Sequence, residues 1–286
     1  MAGAKLTVGN VEIIALHDNE AALPLAMTFP DVPPEAWTSY QQKYPEGFNG
    51  TDNLRIHFEC YLIRSAGQTI LMDTGAGSMA TNPGTVSAFA GGTDGRLLDE
   101  LQAAGVSPGD VDTVFLSHLH PDHVGWNLTQ AGGSPTFPSA RYVFHQADWE
   151  IFRTPKDQEI FGLTFWEETL APLESHGVID FLAGEHALTS EITAIPTPGH
   201  TPGSMSLAVV SSGERAYIMG DVFHGPAQVT EPEWVFSFDA EPVVAVQTRT
   251  GMLERSESEN ATLAICHHSG FGKVMRAEGR RYCLGI

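Results

Sequence analysis

Apolar residues in this chain fall mostly in short runs bounded by turn residues, which predicts many short strands. The stretch KLTVGNVEIIAL places two β-rich runs around Gly9-Asn10 and predicts a hairpin. A second hairpin is predicted around SAGQ at residues 65–68, and its second strand ends at Asp73. Residues 192–224 predict strand, loop, strand, turn, strand and loop, in that order.

Helical spacing of apolar residues marks other parts of the chain. Residues 94–105 predict a helix that ends at Gly105, and residues 155–176 and 243–259 predict two more. Residues 140–152 predict a strand that leads into a helix. Since strands and helices mix without a sequence repeat or a clear linker, we expect one α/β (α+β) domain over residues 1–286.

Residues 19–53 break this pattern with many prolines and aromatic residues. They predict a long irregular loop excursion near the entrance of a pocket, because long loops in folded domains are often functional. The alternative is a surface segment that packs on its own aromatic side chains.

The composition is that of an ordinary folded protein, with 42% apolar and 17% charged residues. Fifteen basic and 35 acidic residues give a formal charge of −20, which repels phosphate backbones and anionic lipid. We therefore expect neither a nucleic-acid nor a membrane partner. Three cysteines without a CxxC motif, and no signal-peptide pattern, favour a cytoplasmic location. No motif predicts the oligomeric state.

The stretch VFLSHLHPDHVGWN, residues 114–127, concentrates metal-binding side chains after a short apolar run. His118 and His120 are two residues apart and face the same side of an extended chain. Asp122 and His123 follow on the predicted turn. Imidazole nitrogens and carboxylate oxygens suit zinc and similar divalent ions, so this stretch predicts part of a metal site.

Three later strand ends carry further candidate ligands. His200 lies in TPGHTPGS, Asp221 follows the apolar run YIM and a glycine, and His267-His268 follow LAIC. A carboxylate has two oxygens, so Asp221 could bridge two ions. The sequence predicts one site of His118, His120, His200 and Asp221, and a second of Asp122, His123, Asp221 and His267. Such sets hold two divalent ions about 3.5–4 Å apart, with zinc favoured and manganese, iron or cobalt as alternatives.

The order of these motifs resembles the metallo-β-lactamase-fold hydrolases. SHLHPDH contains the HxHxDH signature of that family, and DTG at 73–75, TPGHTPGS at 197–204 and GDVFH at 220–224 follow in the family's order. The resemblance covers the chain from about residue 55 to its end. It implies a four-layer αββα sandwich with the metals at the edge where two sheets meet.

Among the subfamilies, the chain is most similar to the quorum-quenching lactonases and methyl-parathion-hydrolase-like enzymes. GDVFHGPAQV, an EPEW…FD…A…TR stretch and the final HHSGFG carry this similarity. The alignment of the last motif puts the ligand at His267, but Ser269 replaces the usual proline, so His268 stays open as an alternative. Asp73 is expected to orient a metal-bound histidine or a loop.

These residues predict a binuclear metal-dependent hydrolase. A hydroxide that bridges the two metals would attack the carbonyl of a lactone or ester, and Asp122 could pass a proton to the leaving group. Hydrolysis of organophosphate triesters at the same site is an alternative, and an iron-dependent oxidoreductase is an alternative of another class. No G-x-S-x-G motif is present, so no covalent acyl-enzyme is predicted.

A small neutral or apolar substrate is expected, because aromatic residues near the motifs are available to line a pocket. The candidate lining residues are Phe29, Trp126, Phe223, His224 and Phe271. Five histidines without a motif, which are expected to lie at the surface or to cap helices, are His17, His57, His145, His176 and His186.

Overall fold

The computed structural model describes residues 3–154 and 165–285, and two mixed sheets dominate this part of the chain. The strands of the first sheet are β1 Lys5–Val8, β2 Val11–Pro24, β3 Phe48–Asn49, β4 Asn53–Ser65, β5 Gln68–Met72, β6 Thr113–Phe115, β7 Arg141–His145 and β8 Ile179–Leu182. Their order is β1-β2-β4-β5-β6-β7-β8, with β3 paired to β4. Pairing is antiparallel from β1 to β5 and parallel from β5 to β8.

The second sheet is built from the later part of the chain. Its strands are β9 His186–Ala187, β10 Ile192–Pro196, β11 Met205–Ser211, β12 Glu214–Met219, β13 Thr262–Ile265, β14 Phe271–Ala277 and β15 Arg280–Gly285. They follow the order β15-β14-β13-β12-β11-β10-β9. Only β12 and β13 pair in parallel among the described strands of this sheet, so their carboxyl ends lie at the same edge.

The helices are short, apart from one near the end of the chain. They are α1 Leu25–Thr28, α2 Thr38–Lys43, α3 Pro83–Phe89, α4 Leu97–Ala103, α5 Gln146–Phe152, α6 Phe165–Thr169, α7 Ala171–Ser175, α8 Ala227–Thr230 and α9 Pro242–Ser258. Single 3₁₀ turns occur at Pro34–Trp37, Pro45–Gly47 and Pro108–Asp110. No helix of the described ranges combines the length and the apolar character needed to cross a membrane.

The two sheets pack face to face, and helices cover both outer faces. Along β2, Ile13 and Ala15 contact the second sheet, whereas Ile14 and Leu16 belong to the core under α4 to α7. This alternation follows from the two-residue period of a strand. On the far side, α9 packs on β12 and β13 through Leu253. The expected four-layer αββα sandwich is confirmed.

Most of the sequence-based secondary structure is confirmed. The hairpins at Gly9-Asn10 and residues 65–68, the strands within 192–224 and the helix at 243–259 are all present. The chain also turns with a positive φ of 74° at Gly105, just after α4, as its C-cap position requires. Of the predicted helix at 155–176, residues 155–164 lie outside the described ranges, and α6 and α7 occupy the rest.

The prediction of an irregular excursion over residues 19–53 is wrong in part. Residues 19–24 continue β2, and most of the remainder forms α1, α2 and two 3₁₀ turns. Aromatic side chains of this segment pack into their own cluster on β4. The burial of these side chains orders a segment whose sequence alone looks irregular. The cluster contains Leu25, Phe29, Trp37, Tyr40, Tyr44, Phe48, Leu54, Ile56, Phe58 and Phe236.

A bulge in β2 changes which side chains share a face. The register with β4 shifts between His17 and Asn19, so that Asp18 has no partner in the ladder. The buried Asp18 carboxylate instead accepts hydrogen bonds from the backbone N–H groups of Ala76, Gly77 and Leu97 and from the indole of Trp126. One carboxylate therefore connects three separate segments of the chain behind the first sheet.

Candidate metal centre

Strand-end loops from both sheets converge at one edge of the sandwich. The loop after β6 carries His118, His120 and His123, and Asp221 follows β12 directly. His200 follows β10 and His267 follows β13. Because each strand is buried, its end has a fixed position, and the short loops hold the side chains at this edge. We call the set His118, His120, Asp122, His123, His200, Asp221 and His267 the Asp221 centre.

Four residues form the first half of the Asp221 centre. One donor atom from each of His118, His120, His200 and Asp221 lies within 4.8 Å of the other three. His120 Nδ1 is 3.0 Å from His118 Nε2 and 2.8 Å from His200 Nε2. Asp221 Oδ2 is 3.1 Å from His200 Nε2 and 3.7 Å from His118 Nε2. This is the first of the two groups that the sequence predicted.

The second half also contacts Asp221, through both of its carboxylate oxygens. His123 Nε2 lies 3.2 Å from Asp221 Oδ1, and His267 Nε2 lies 3.0 Å from Asp221 Oδ2. Asp122 Oδ2 is more distant, at 3.6 Å from His123 Nε2 and 3.9 Å from His267 Nε2. The structure thus brings all seven predicted residues together, with Asp221 between the two halves and Asp122 at the margin.

Burial and mutual contacts set the protonation of these groups. Burial, reinforced by neighbouring histidines, lowers the pKa of His118 and of His120 well below the usual value. Burial also opposes charge on His123, but Asp221, Asp122 and Asp73 outweigh it and raise the pKa of His123 well above the usual value. Four surrounding histidines overcome the burial of Asp221 and hold the pKa of its carboxyl well below the usual value. His118 and His120 are therefore neutral, whereas His123 holds a proton beside the ionised carboxylate of Asp221.

Asp73 holds two parts of the histidine loop. Its Oδ2 lies 2.9 Å from His123 Nδ1, and its two oxygens accept hydrogen bonds from the backbone N–H and hydroxyl of Ser117 at 2.7 and 2.8 Å. Asp73 adopts a φ of 61°, a left-handed conformation that residues other than glycine rarely take. Asp73 thus contacts the back of a candidate ligand, in agreement with the orienting role expected from the sequence.

The contacts behind His200 were not predicted. Asp239 Oδ1 lies 3.0 Å from His200 Nδ1, and its other oxygen accepts from the fully buried guanidinium of Arg249 at 3.3 Å. The two residues lie in the FD and TR parts of the family-like stretch EPEW…FD…A…TR, to which the sequence assigns no role. Membership of this stretch was the only sign in the sequence that the two residues matter. Asp239 and Arg249 are ten residues apart, and their contact forms only in the fold.

A second buried carboxylate fixes the loop that carries His200. Asp148 in α5 accepts hydrogen bonds from the hydroxyl of Thr201 at 2.8 Å and from the backbone N–H of Gly203 at 2.7 Å. Burial raises the pKa of Asp148 to about 6. On the other side, Gly199 has a φ of 132° and lies against the backbone of Ala245, where a Cβ would be only 2.3 Å from the nitrogen. The glycine is therefore required for the loop to pass α9.

The structure separates the two candidates His267 and His268. His267 Nδ1 lies 2.8 Å from the carbonyl oxygen of His57, and its Nε2 faces Asp221. His268 points away, with Nε2 3.6 Å from Glu46. The geometry therefore favours His267 as the candidate ligand.

Two further side chains approach Asp221. Cys266, which was not among the predicted site residues, donates its thiol to Asp221 Oδ1 at 3.1 Å, and burial raises its pKa well above the usual value. His224 Nε2 lies 3.3 Å from Asp221 Oδ2 while its ring stacks on Phe236 with centroids 3.6 Å apart. Burial lowers the pKa of His224 to about 4, so its imidazole is neutral.

A cavity of about 640 Å³ opens directly above the Asp221 centre. His120, Asp122, His200, Asp221 and His267 line one side of it. The apolar wall consists of Leu23, Ile56, Phe58, Ala88, Phe89, Ile151, Phe152, Phe236 and Phe238. Leu23 belongs to the 19–53 segment, and the aromatic cluster of that segment lies behind the wall.

The five pocket residues expected from the sequence do not line this cavity. Phe29 packs between Trp37 and Phe236, and Phe223 is buried under α9. Phe271 lies in the core between the sheets, Trp126 bonds to Asp18, and His224 lies behind Phe236. The pocket prediction differs from the structure because proximity to a motif in sequence does not determine which way a side chain points.

The donor set fits divalent transition metals. It presents imidazole nitrogens and carboxylate oxygens, the ligands that zinc and its neighbours take in proteins. His123 Nε2 is buried and makes no hydrogen bond of acceptable geometry, although Asp221 Oδ1 is close. An imidazole nitrogen buried in this way is costly unless another group, such as a metal ion, engages it.

Comparison with known proteins agrees with this geometry. Residues 59–267 match the family model of the metallo-beta-lactamase superfamily. A Bacillus protein named N-acyl homoserine lactonase is 26% identical over 159 residues, which cover 52% of this chain and 57% of that protein. The match spans little more than half of the relative's length.

Solved structures of similar proteins cover the whole chain. A hydrolase named AbOPH, of the beta-lactamase superfamily, has a TM-score of 0.84 and 26% identity over 100% of this chain and 98% of its own. AidC, described as a dizinc quorum-quenching lactonase, has a TM-score of 0.81 and 22% identity over 99% of this chain and 97% of its own. At 22% identity, the similarity to AidC shows a shared fold and nothing beyond it.

Proposed function

This chain belongs to the metallo-β-lactamase superfamily and is a metal-dependent hydrolase, and within that class we propose that it hydrolyses lactones with a pair of divalent metal ions. The observation that carries the proposal is the position of the Asp221 centre. Two groups of candidate ligands share one carboxylate at the floor of a largely apolar cavity.

The metal pair would be held by the two halves of the Asp221 centre. His118, His120 and His200 would hold one ion, and His123, Asp122 and His267 the other, with Asp221 between them. Bound there, two divalent ions would lower the pKa of a water molecule and polarise an ester carbonyl. AidC is described as dizinc, which supports the count of two and the identity of the metal.

The cavity suits a neutral substrate with an apolar part. Its wall away from the Asp221 centre is mainly aliphatic and aromatic, and Phe89 and Phe238 are partly exposed at 41% and 48%. An acyl chain or aryl group would bury these surfaces, at about 25 cal/mol per Å² of apolar area. The lactonase name of the Bacillus relative supports a lactone as the reacting group.

Asp122 is positioned to move a proton. It lines the cavity, its side chain is 22% exposed, and it lies beside His123 and His267. Opening of a lactone produces an alkoxide that must be protonated, and a carboxylate at the cavity wall can take a proton from the attacking water and pass it to that oxygen. We expect Asp122→Asn to keep most of its metal and to lose kcat by about 10²-fold or more. Full activity with normal metal content would rule out this role.

A substrate panel tests the function as a whole. Enzyme reconstituted with zinc, manganese, iron or cobalt is assayed with γ- and δ-lactones of increasing chain length, with aryl esters and with paraoxon-type triesters. We expect lactones to give the highest kcat/KM, and chelation to abolish turnover until metal is restored.

Other outcomes of the panel point to other functions. Faster hydrolysis of the triesters would assign the site to organophosphates, because the same nucleophile can attack phosphorus. No hydrolysis at all, combined with iron-dependent oxygen uptake, would replace the proposal with an oxidoreductase. Metal analysis of protein purified without added metal identifies the ion that the chain selects.

A further inference from the structure

A second cluster of potential ligands lies on β2 and β4, away from the large cavity. It consists of His17, Glu20, His57 and Glu59, and we call it the β2–β4 cluster. One donor atom from each of His17, His57 and Glu59 lies within 4.8 Å of the other two. None of these residues lines the cavity, and the reaction proposed above does not use them.

The bulge in β2 creates this cluster. In a regular strand, residues 17 and 20 would face opposite sides of the sheet, because successive side chains alternate. The register shift at Asp18 places His17 opposite Glu59 and Glu20 opposite His57, so two adjacent cross-strand pairs share one face. Bulges often re-aim side chains at functional sites.

The geometry of the cluster is close to that of a metal site. His17 Nδ1 lies 2.9 Å from Glu59 Oε1, and His57 Nδ1 lies 4.0 Å from the same oxygen and 3.9 Å from Glu20 Oε2. Ligands of one zinc ion lie about 2.0–2.2 Å from the metal, hence about 3–3.5 Å from each other. Side-chain movements of about 1 Å therefore suffice to close the ligands around an ion.

His57 is the strongest evidence for a missing partner. It is 8% exposed, and neither ring nitrogen makes a hydrogen bond of good geometry, although the backbone of Glu46 approaches the ring. Nδ1 nevertheless points toward the carboxylates of Glu20 and Glu59. Burying an imidazole nitrogen without a well-formed hydrogen bond is costly, and a metal ion on Nδ1 would remove that cost.

We propose that the β2–β4 cluster binds a divalent transition-metal ion of the zinc type, separate from the ions of the Asp221 centre. His17, His57 and Glu59 supply the ligands, and Glu20 or water completes the coordination. The ion can enter from solvent, because the side chains of His17 and Glu20 are 36% and 39% exposed. Two imidazoles with one or two carboxylates are a usual ligand set for such ions.

The site adjoins the Asp221 centre through the backbone. The carbonyl oxygen of His57 lies 2.8 Å from His267 Nδ1, and the backbone N–H of Glu59 donates to the carbonyl of Cys266 at 3.0 Å. An ion on His57 and Glu59 would therefore stabilise the strand that supports His267. Its role is structural, since the ligands face away from the cavity.

Metal content measures the proposal directly. Full-length protein is equilibrated with Zn²⁺, freed of loosely bound ions by gel filtration, and analysed by elemental mass spectrometry. We expect His17→Gln and Glu59→Gln each to bind about one ion fewer per chain than the wild type. His176→Gln, which changes an exposed histidine elsewhere, is the matched control and should keep the wild-type count.

Two further measurements make the result decisive. Diffraction data at the zinc absorption edge should show an anomalous peak between His17, His57 and Glu59. Asp221→Asn should lose metal from the Asp221 centre but keep this peak. Metal at the Asp221 centre therefore tests the proposed function, and the peak tests this inference, so the two can fail separately. Equal ion counts in the wild type and His17→Gln, together with no peak, would overturn the proposal, provided that circular dichroism shows both proteins folded.

Discussion

The two histidine clusters of this chain have similar ligand types but different origins. The Asp221 centre is assembled from loops at the ends of β6, β10, β12 and β13, and four of its seven residues come from one stretch of six positions. The β2–β4 cluster lies within two paired strands, and a bulge brings its members to one face. A loop can direct several neighbouring side chains toward one ion, whereas a strand directs only every second side chain to a given face. Four residues of the first cluster are therefore close together in sequence, whereas strand pairing brings the members of the second together.

The two clusters also differ in how their histidines are held. In the Asp221 centre, Nδ1 atoms face Asp73, Asp239 or a backbone carbonyl, and the Nε2 atoms of the same rings face the centre. Such outer contacts orient a ligand and select its tautomer. His57 makes no outer contact of comparably good geometry. We therefore expect the Asp221 centre to be preorganised and the β2–β4 cluster to adjust when an ion binds.

The largest effect should come from removal of the shared carboxylate. Asp221→Asn takes the bridging group from both halves of the Asp221 centre. Loss of one preorganised donor in an active site costs about 10²–10³-fold in kcat, so we expect a decrease of at least about 10³-fold in kcat/KM for a lactone. Asp180→Asn, which removes an exposed carboxylate paired with Arg141, is the control and should stay within about twofold.

Removal of the bulge residue should have the next largest effect, on stability. Asp18→Ala leaves three backbone N–H groups and the indole of Trp126 without their acceptor. Buried donors that lose a partner cost about 1–3 kcal/mol each, and partial relaxation limits the total to about 4 kcal/mol. Denaturant unfolding measures this change, with the exposed Asp31→Ala as the control. A loss below about 1 kcal/mol would show that the bulge does not depend on Asp18.

A smaller loss is expected when the contact behind His200 is weakened. Asp239→Asn keeps the size of the side chain but removes the charge that faces His200 and Arg249. Groups that orient metal-binding histidines are typically worth about 10- to 100-fold in metal affinity. Competition with a chromogenic chelator should show this weakening for one ion of the pair. Equal weakening of both ions would contradict the assignment of Asp239 to the half that contains His200.

The cavity wall should affect substrate choice more than chemistry. Phe238→Ala removes a partly exposed aromatic side chain from the wall. Loss of about 1 kcal/mol of apolar contact corresponds to about a fivefold decrease in kcat/KM for a long-chain lactone. A short-chain lactone should be unaffected. Met275→Ala, at an exposed position on β14, should change neither value, and an equal decrease for both substrates would remove Phe238 from the binding wall.

The smallest effect on catalysis should come from the β2–β4 cluster. His17→Gln should keep kcat/KM for lactones within about twofold of the wild type, because His17 does not face the cavity. Its effect should be confined to metal count and thermal stability, since an ion that binds only the folded chain raises Tm. A large decrease in kcat with unchanged metal content would show that the two clusters are not independent.

Sequence reasoning was most successful where chemistry is concentrated in short stretches. Strand-end motifs in the sequence predict all seven residues of the Asp221 centre, and the structure brings them together. The choice between His267 and His268 needed the structure, because adjacent residues in a tight turn can point either way. Asp239 and Arg249 were visible only as part of a family-like stretch, without a role.

Predictions failed where contacts depend on side-chain direction. Phe29, Trp126, Phe223, His224 and Phe271 were chosen for the pocket and lie elsewhere, since each packs into an interior that the sequence does not reveal. His57 was expected at the surface or as a helix cap and is buried in the middle of β4. His145, by contrast, accepts from the backbone N–H of Ala147 at the start of α5, which matches the expectation of a capping role.

The sequence alone determined most strands and helices and the strand-end ligands, and its resemblance to the metallo-β-lactamase-fold hydrolases implied the layered fold and the class of chemistry. Apolar periodicity and turn residues act over a few positions, and metal ligands after a buried strand form a local pattern. Only the tertiary structure decided the wall of the cavity, the carboxylates behind the histidines and the face shared by His17 and His57. Those features depend on strand register and on packing between residues tens of positions apart, where a shift of one residue reverses the direction of every side chain.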